Sequence, residues 1–195
     1  MTRLAAAAAL VAVVACGACG KAEPPAGLRE ADRPAFGGDF TLTNQDDRPF
    51  RLQDVRGKAA FLFFGYTSCP DMCPVTMSRI AGAIGRVGKA APDVVTLFVS
   101  VDPERDTPPV LKEYVASFGI PVIGLTGSDD QVRRVQSQYH ASAQGVSTGT
   151  SNYLVNHTSA IFLLDRQGRL RQYFKYDESP EILAAALRAV LDDQS

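Results

Sequence analysis

The segment AAFLFFGYTSCPDMCPVTMSRIAGAIGRV, residues 59–87, carries a strand, a loop and a helix in one continuous run. Its opening, AAFLFFGY, is unbroken apolar sequence of strand length, the pattern of a central strand covered on both faces. Over residues 74–90 the period changes: Met77, Ile80, Ile84 and Val87 recur at helical spacing. Pro74 suits a first turn, where no backbone donor is required. Between the two elements lie Cys69 and Cys73, four residues apart. A helix N-terminus offers free backbone donors and a partial positive charge, so the thiolate is expected to be favoured and the cysteine pKa lowered there. At this spacing the sulfurs can bond each other or share one ion. A structural disulfide, a redox dithiol and a metal-binding pair all follow from that geometry. As a staple, so small a ring stabilises by less than the ~3 kcal/mol of a 15-residue loop, which favours redox or metal chemistry.

Working outward, a second apolar run, VVTLFVSVD at residues 94–102, predicts another buried strand. Upstream, DFTLTNQDDRPFRLQDVRGK at 39–58 predicts a short hairpin, with Phe40 and Leu42 alternating with polar residues around a turn-rich NQDDRP. Downstream, Thr107 before Pro108 predicts a helix cap, and PPVLKEYVASFG runs from there to a glycine stop. PVIGLTG then predicts a strand, SDDQVRRVQSQYH a capped helix, SAIFLLD a buried strand, and RQG a turn into RLRQYF. SPEILAAALRAVLDD predicts a closing helix with Ser179 as its cap. Alternating strands and helices of this kind imply an α/β fold with a mixed β-sheet flanked by helices and an N-terminal β-hairpin extension. The order, with paired cysteines between a central strand and its helix, is similar to the thioredoxin fold.

The chain's ends and composition narrow the setting. Its 195 residues, 46% of them hydrophobic, are enough for one well-packed domain plus an extension. Formal net charge is −1 with both signs scattered, so no basic stripe grips a nucleic-acid backbone, and nucleic acid is not an expected partner. Residues 1–15 have the form of an export signal: Arg3 is the positive n-region, and Leu4 to Ala15 is an apolar run too short to span a bilayer comfortably. VVAC at its end resembles the bacterial lipobox, with Cys16 rather than Cys19 as the lipidated residue. Residues 16–35 are rich in Pro, Ala and charge, with little to bury, and form a flexible tether to a domain over residues 36–195. The expected location is extracytoplasmic: a membrane-anchored lipoprotein facing the periplasm or the outside of the cell envelope, where disulfides and metal ions persist.

A metal site needs a third ligand, and the chain has two histidines, His140 and His157. His140 ends a predicted helix, where interaction with the helix dipole accounts for it. His157, in NYLVNHTSAIFLLD, directly precedes a strand that a thioredoxin-like sheet sets beside the cysteine pair.

Taken together, FFGYTSCPDMCPVTM, VSVDPERDTPPVLKEYV and YLVNHTSAIFLLDRQGRLRQYF resemble the Sco/SenC family, copper-binding proteins that assemble the dicopper centre of cytochrome c oxidase. The resemblance covers roughly residues 36–192. It implies a thioredoxin fold in which Cys69, Cys73 and His157 bind one copper ion, as Cu(I) or Cu(II). It also implies that the same dithiol can reduce the oxidase cysteines. The implied partners are the copper-bearing oxidase subunit, another periplasmic copper chaperone, and the membrane through the lipid anchor. Two soft thiolates and an imidazole suit copper, and a Cys69–Cys73 disulfide would remove both sulfur ligands, so metal loading and oxidation exclude each other. One position departs from the family pattern: Asn156 stands where an Asp commonly precedes the ligand His, so a charge beside the imidazole is lost.

Two alternatives remain: a metal-independent thiol-disulfide oxidoreductase using Cys69 and Cys73 alone, and zinc on the same three side chains. The loop lacks the Thr and Arg arrangement of a thiol peroxidase. Among other candidate ligands, Met77 lies on the core stripe of its helix and Met72 is more open. Asp102, Glu104 and Asp106 fit turn and cap chemistry, with Asp102 or Asp106 as a contact to the cysteine loop or a partner the alternative. Lys58 and Arg105 are expected on solvated faces.

Overall fold

The computed structural model describes residues 34–147, 153–157 and 159–193, with side chains at 34–143 and 159–193. The export signal, Cys16 and nearly all of the tether lie outside the described residues. Strands are β1 (Thr41–Asn44), β2 (Pro49–Arg51), β3 (Ala59–Gly65), β4 (Val94–Ser100), β5 (Val122–Thr126), β6 (Ala143–Ser147), β7 (Tyr153–His157), β8 (Ile161–Leu164) and β9 (Leu170–Phe174). Helices are α1 (Met72–Arg86), α2 (Pro108–Ala116), α3 (Asp129–Gln138) and α4 (Pro180–Asp192). Among the described residues no helix is long and apolar enough to cross a membrane.

A seven-stranded sheet runs in the order β2-β1-β5-β4-β3-β8-β9. β3, β4 and β5 are parallel, joined by α1 and α2, whereas β8 pairs antiparallel with β3 and β9 antiparallel with β8. The N-terminal hairpin extends the sheet by pairing β1 antiparallel with β5, Thr43 opposite Thr126. All seven residues of β3 are buried because both sheet faces are covered. Phe61 and Phe63 pack with Met77, Ile80 and Leu111 of α1 and α2 and with Leu183 and Leu187 of α4. Leu62 and Phe64 point the other way, against Leu42 and Phe50 of the hairpin and Val132 and Val135 of α3. The unbroken apolar run in the sequence is this two-faced burial.

Helix boundaries follow local chemistry. α1 begins at Met72, which keeps Pro74 in the first turn, and ends at Arg86. It stops short of residue 90 because Gly88 takes φ +60°, a left-handed conformation that closes a helix. Ser128 caps α3 with a reciprocal pair: its hydroxyl accepts from the Gln131 amide, and its own amide donates to Gln131 Oε1 at 2.8 Å. Ser179 caps α4 through the Ile182 amide. Thr107 occupies the cap position of α2, but its side chain makes no capping hydrogen bond.

One element was not expected. β6 and β7 form a separate two-stranded antiparallel ribbon, His157 opposite Ala143. His157 therefore closes a strand of its own, ahead of the strand it was expected to precede. AQGVSTGTSNYLVNH is dominated by Gly, Ser, Thr and Asn, and neither half shows a clear apolar alternation. The ladder between the two halves is a pairing that periodicity within one segment does not report.

Candidate metal centre

β3 ends at Gly65, and the chain leaves the sheet through Tyr66 to Asp71 before entering α1. The Cys69 amide donates to the Tyr66 carbonyl at 3.2 Å, turning the loop back on the strand end. The Cys73 amide, on the first turn of α1, donates to Cys69 Sγ at 3.4 Å. A first-turn donor that has no intrahelical partner is thus directed at a sulfur. Both cysteines are thiols, Cys69 half-buried and Cys73 fully buried.

Cys73 belongs to the apolar cluster of Phe63, Met77, Ile80 and Phe98. Gly65 makes room for it. A Cβ at that position would lie 2.8 Å from the Phe98 ring, 2.9 Å from the Phe63 ring and 3.0 Å from Cys73 Sγ. Burial pushes the Cys73 thiol up, against a backbone hydrogen bond from Tyr66, and the neighbouring Cys69 and Asp106 add to the rise. The expected lowering at the helix N-terminus is therefore overturned for Cys73: removing the sulfur from water outweighs the helix end. The Tyr114 hydroxyl shares this surrounding and is likewise raised, first by burial and then by the charges of Cys73 and Cys69.

The acidic segment after β4 touches the cysteine loop, more than turn and cap chemistry requires. Asp106 is fully buried and accepts from the Thr67 amide at 3.0 Å, the Thr67 hydroxyl at 2.6 Å and the Ser100 hydroxyl at 2.6 Å. Burial raises its pKa; the bonds from Ser100 and Thr67 act in the opposite sense, and the charge of Asp102 adds to the rise. Asp102, also buried, accepts from Arg105 Nε, and the Arg105 guanidinium lies over the Tyr66 ring at 5.7 Å. Arg105 is thus part of the packing around the loop instead of a solvated face. Gly65, Thr67 and Ser100 were missed in the sequence. A glycine closing an apolar strand was the available signal for the first.

His140 is exposed, with φ +50° directly after α3, and stacks on Phe36 at 4.5 Å. It takes no part in the cysteine site. Met77 is core, as expected, and Met72 is half-buried. The His157 side chain lies outside the described residues, but its backbone is placed. Ile161, which opens β8, pairs with Phe63 of β3, so β8 starts at the sheet end from which the cysteine loop emerges. His157 is four residues before Ile161, within a chain reach of at most about 14 Å. Among the described residues no three His, Cys, Asp or Glu side chains gather as a metal site. The described half of the centre is therefore a sulfur pair, soft donors that suit a soft ion or disulfide exchange.

The family model described as SCO1/SenC matches residues 29–192. An SCO2-like protein of Rickettsia felis is 34% identical over 160 residues, 80% of this chain and 78% of that protein. Bradyrhizobium japonicum ScoI, solved with copper bound, is 39% identical, with a TM-score of 0.73 over 80% of this chain and 99% of that one. Arabidopsis thaliana ScoI, also solved with copper bound, is 32% identical, with a TM-score of 0.76 over 82% and 100% of the two chains.

Proposed function

The chain belongs to the SCO1/SenC family, and from that premise we propose that it is a copper metallochaperone for cytochrome c oxidase. One copper ion is carried as cargo on Cys69, Cys73 and His157 and delivered to the dicopper site of the oxidase's copper-bearing subunit. The same dithiol reduces the cysteines of that site. Two similar structures hold copper, and the Sco family is described as one of cytochrome c oxidase assembly proteins. The observation that carries the reading is the sulfur pair at a helix N-terminus, at the sheet end where β8 begins four residues after His157 in the chain.

In this reading each residue has a separate task. Cys73 supplies a buried sulfur whose proton is displaced by the arriving ion, since a metal-bound thiol is deprotonated outright. Cys69 supplies the sulfur nearer solvent, where an incoming ligand meets the site first. His157 completes a three-donor set that suits Cu(I) and still holds Cu(II), and Asn156 beside it offers hydrogen bonding without charge. Disulfide formation between the cysteines empties the site of sulfur ligands. Residues 1–15 act as the export signal, Cys16 is acylated, and residues 16–35 tether the domain of residues 36–195 to a membrane on its periplasmic side. Another periplasmic copper chaperone is the proposed source of the ion.

A second reading, a metal-independent thiol-disulfide oxidoreductase, is favoured by the unequal exposure of the pair, with Cys69 half-buried near the surface and Cys73 buried behind it. His157 separates the two, because dithiol exchange proceeds without an imidazole. The test titrates the reduced protein with Cu(I) against a competing chelator, in wild type and His157→Ala. The copper reading expects at least about tenfold weaker binding in the variant, a loss reached even by outer-shell partners of metal ligands. Equal affinity in the two proteins removes His157 from the site and leaves the second reading.

A further inference from the structure

Asp106 carries a feature that neither copper binding nor helix capping uses. It is a fully buried carboxylate on the segment that leads into α2, yet the three hydrogen bonds it accepts go elsewhere. Oδ1 takes the Thr67 hydroxyl, and Oδ2 takes both the Thr67 amide and the Ser100 hydroxyl. Thr107, not Asp106, holds the cap position of α2. A buried charge is expensive to desolvate and, where only stability is at stake, an apolar residue of similar volume does as well or better. Here the charge joins the end of β4 to a loop thirty-nine residues earlier in the chain.

The loop in question is the one that carries the dithiol. Thr67 lies two residues before Cys69, inside the turn closed by the Cys69 amide on the Tyr66 carbonyl. Gripping Thr67 through both its amide and its hydroxyl fixes the position and the rotation of that turn. The turn in turn sets Cys69 Sγ against the Cys73 amide. The surrounding contacts act in the same sense: the Val101 amide donates to the Gly65 carbonyl at 2.8 Å, and the Asp106 amide to the Asp102 carbonyl at 2.9 Å. The segment from Ser100 to Asp106 is thereby a rigid jaw closed on residues 65–67, with Asp106 as its tooth.

We propose that Asp106 is a positioning residue of the dithiol: through Thr67 it holds Cys69 in register with the first turn of α1. It acts through geometry, so a neutral isostere that keeps the bonds keeps the register. Asn at 106 can accept from the Thr67 amide and the Ser100 hydroxyl with its oxygen and donate to the Thr67 hydroxyl oxygen with its amide. Ala at 106 can do none of this. The proposal rests on the dithiol being the working site but not on copper being its cargo.

The test uses the full chain, reduced and metal-free, as wild type, Asp106→Ala and Asp106→Asn. Amide exchange at Thr67 and the alkylation rate of Cys69 by iodoacetamide are measured, with β4 amides as the reference for global stability. In Asp106→Ala, Thr67 exchange is expected to accelerate at least about tenfold relative to those amides, the scale of losing a hydrogen bond to a charged acceptor. Cys69 alkylation is expected to change several-fold with it, and Asp106→Asn to return both toward wild type. Unchanged Thr67 exchange in the Ala variant overturns the proposal, as does an Asn variant as perturbed as Ala. Should Asp106→Ala fail to fold, Thr67→Val removes the hydroxyl arm of the clamp alone; an altered Cys69 alkylation rate supports the proposal and an unaltered one refutes it. A third arm records the Cu(II)–thiolate absorption band of each variant. A wild type that binds no copper sinks the metallochaperone reading while leaving the exchange and alkylation results to decide the role of Asp106.

Discussion

Replacing Gly65 with Ala tests the packing that seats Cys73. Its new methyl would sit 2.8 Å from the Phe98 ring and 2.9 Å from the Phe63 ring, both fully buried, and 3.0 Å from Cys73 Sγ. Both rings are enclosed by the core cluster that also holds Cys73, so the strain divides between the core and the sulfur. Overpacking of this kind destabilises by ~1–3 kcal/mol, and the loss of unfolded-state freedom on replacing glycine returns ~0.4–1 kcal/mol. The net is a destabilisation of roughly 1 kcal/mol, a Tm lowered by roughly 2–4 °C for a domain of this size. Gly85 is the control. It lies in α1 with nothing within 4 Å of its added Cβ, so Gly85→Ala gains the ~0.5–1 kcal/mol of helix propensity and raises Tm. Thermal unfolding of the reduced, metal-free proteins by circular dichroism reads both signs, and Cu(I) competition reads the sulfur. Gly65→Ala is expected to weaken Cu(I) binding and Gly85→Ala to leave it unchanged. A Gly65→Ala protein that melts at or above wild type, with wild-type affinity, refutes the account of how Cys73 is held.

Two further outcomes follow from burial and titration. Iodoacetamide at pH 8 is expected to alkylate Cys69 well before Cys73, because Cys73 is inaccessible and its thiol is pushed up by burial; mass spectrometry of partially alkylated peptides reads the order, and equal rates contradict the structure. Burial holds the folded-state pKa of Asp106 above its ordinary value of 3.8, so its protonated form is the one the fold favours. That contribution is fully present below about pH 3.8 and is lost as pH rises through the folded pKa. Asp106→Asn should therefore gain stability relative to wild type as pH climbs from about 3 towards neutrality, and urea unfolding across that range showing no such trend counts against the assignment.

The fold was largely legible because its elements carry strong, separable periods. The apolar run of β3, the i, i+3, i+4 stripe of α1 and the serine caps of α3 and α4 each state their own structure. The cysteine pair was legible for the same reason, as it interrupts a strand-to-helix junction. What escaped depends on partners distant in sequence. β6 and β7 exist only as a ladder, and neither half has a pattern of its own. Asp106 stands in a segment whose composition suits a turn; its contact with the cysteine loop was legible only as an alternative, and folding is what shows its oxygens reaching Thr67. The reversed pKa expectation for Cys73 has a similar origin: a helix N-terminus is visible in sequence, whereas the apolar cluster around the sulfur is assembled from β3, β4 and α1.

The unequal burial of the two sulfurs orders the chemistry in either functional reading. In copper transfer, an incoming ligand reaches the ion from the side of Cys69, and Cys73 is the donor shielded longest by the core. In dithiol exchange, Cys69 as thiolate attacks a partner disulfide, forming a mixed disulfide and expelling one partner thiolate. Cys73 then loses its proton and attacks Cys69 Sγ, which leaves a Cys69–Cys73 disulfide and a fully reduced partner. In the free dithiol, burial pushes the Cys73 thiol up, so in this reading the sulfur that closes the disulfide is the one that gives up its proton less readily. The same burial that keeps Cys73 from stray oxidants slows the step that empties the site. In either reading Cys73 gives up its proton before its sulfur acts, to an arriving metal ion or to a base on the partner.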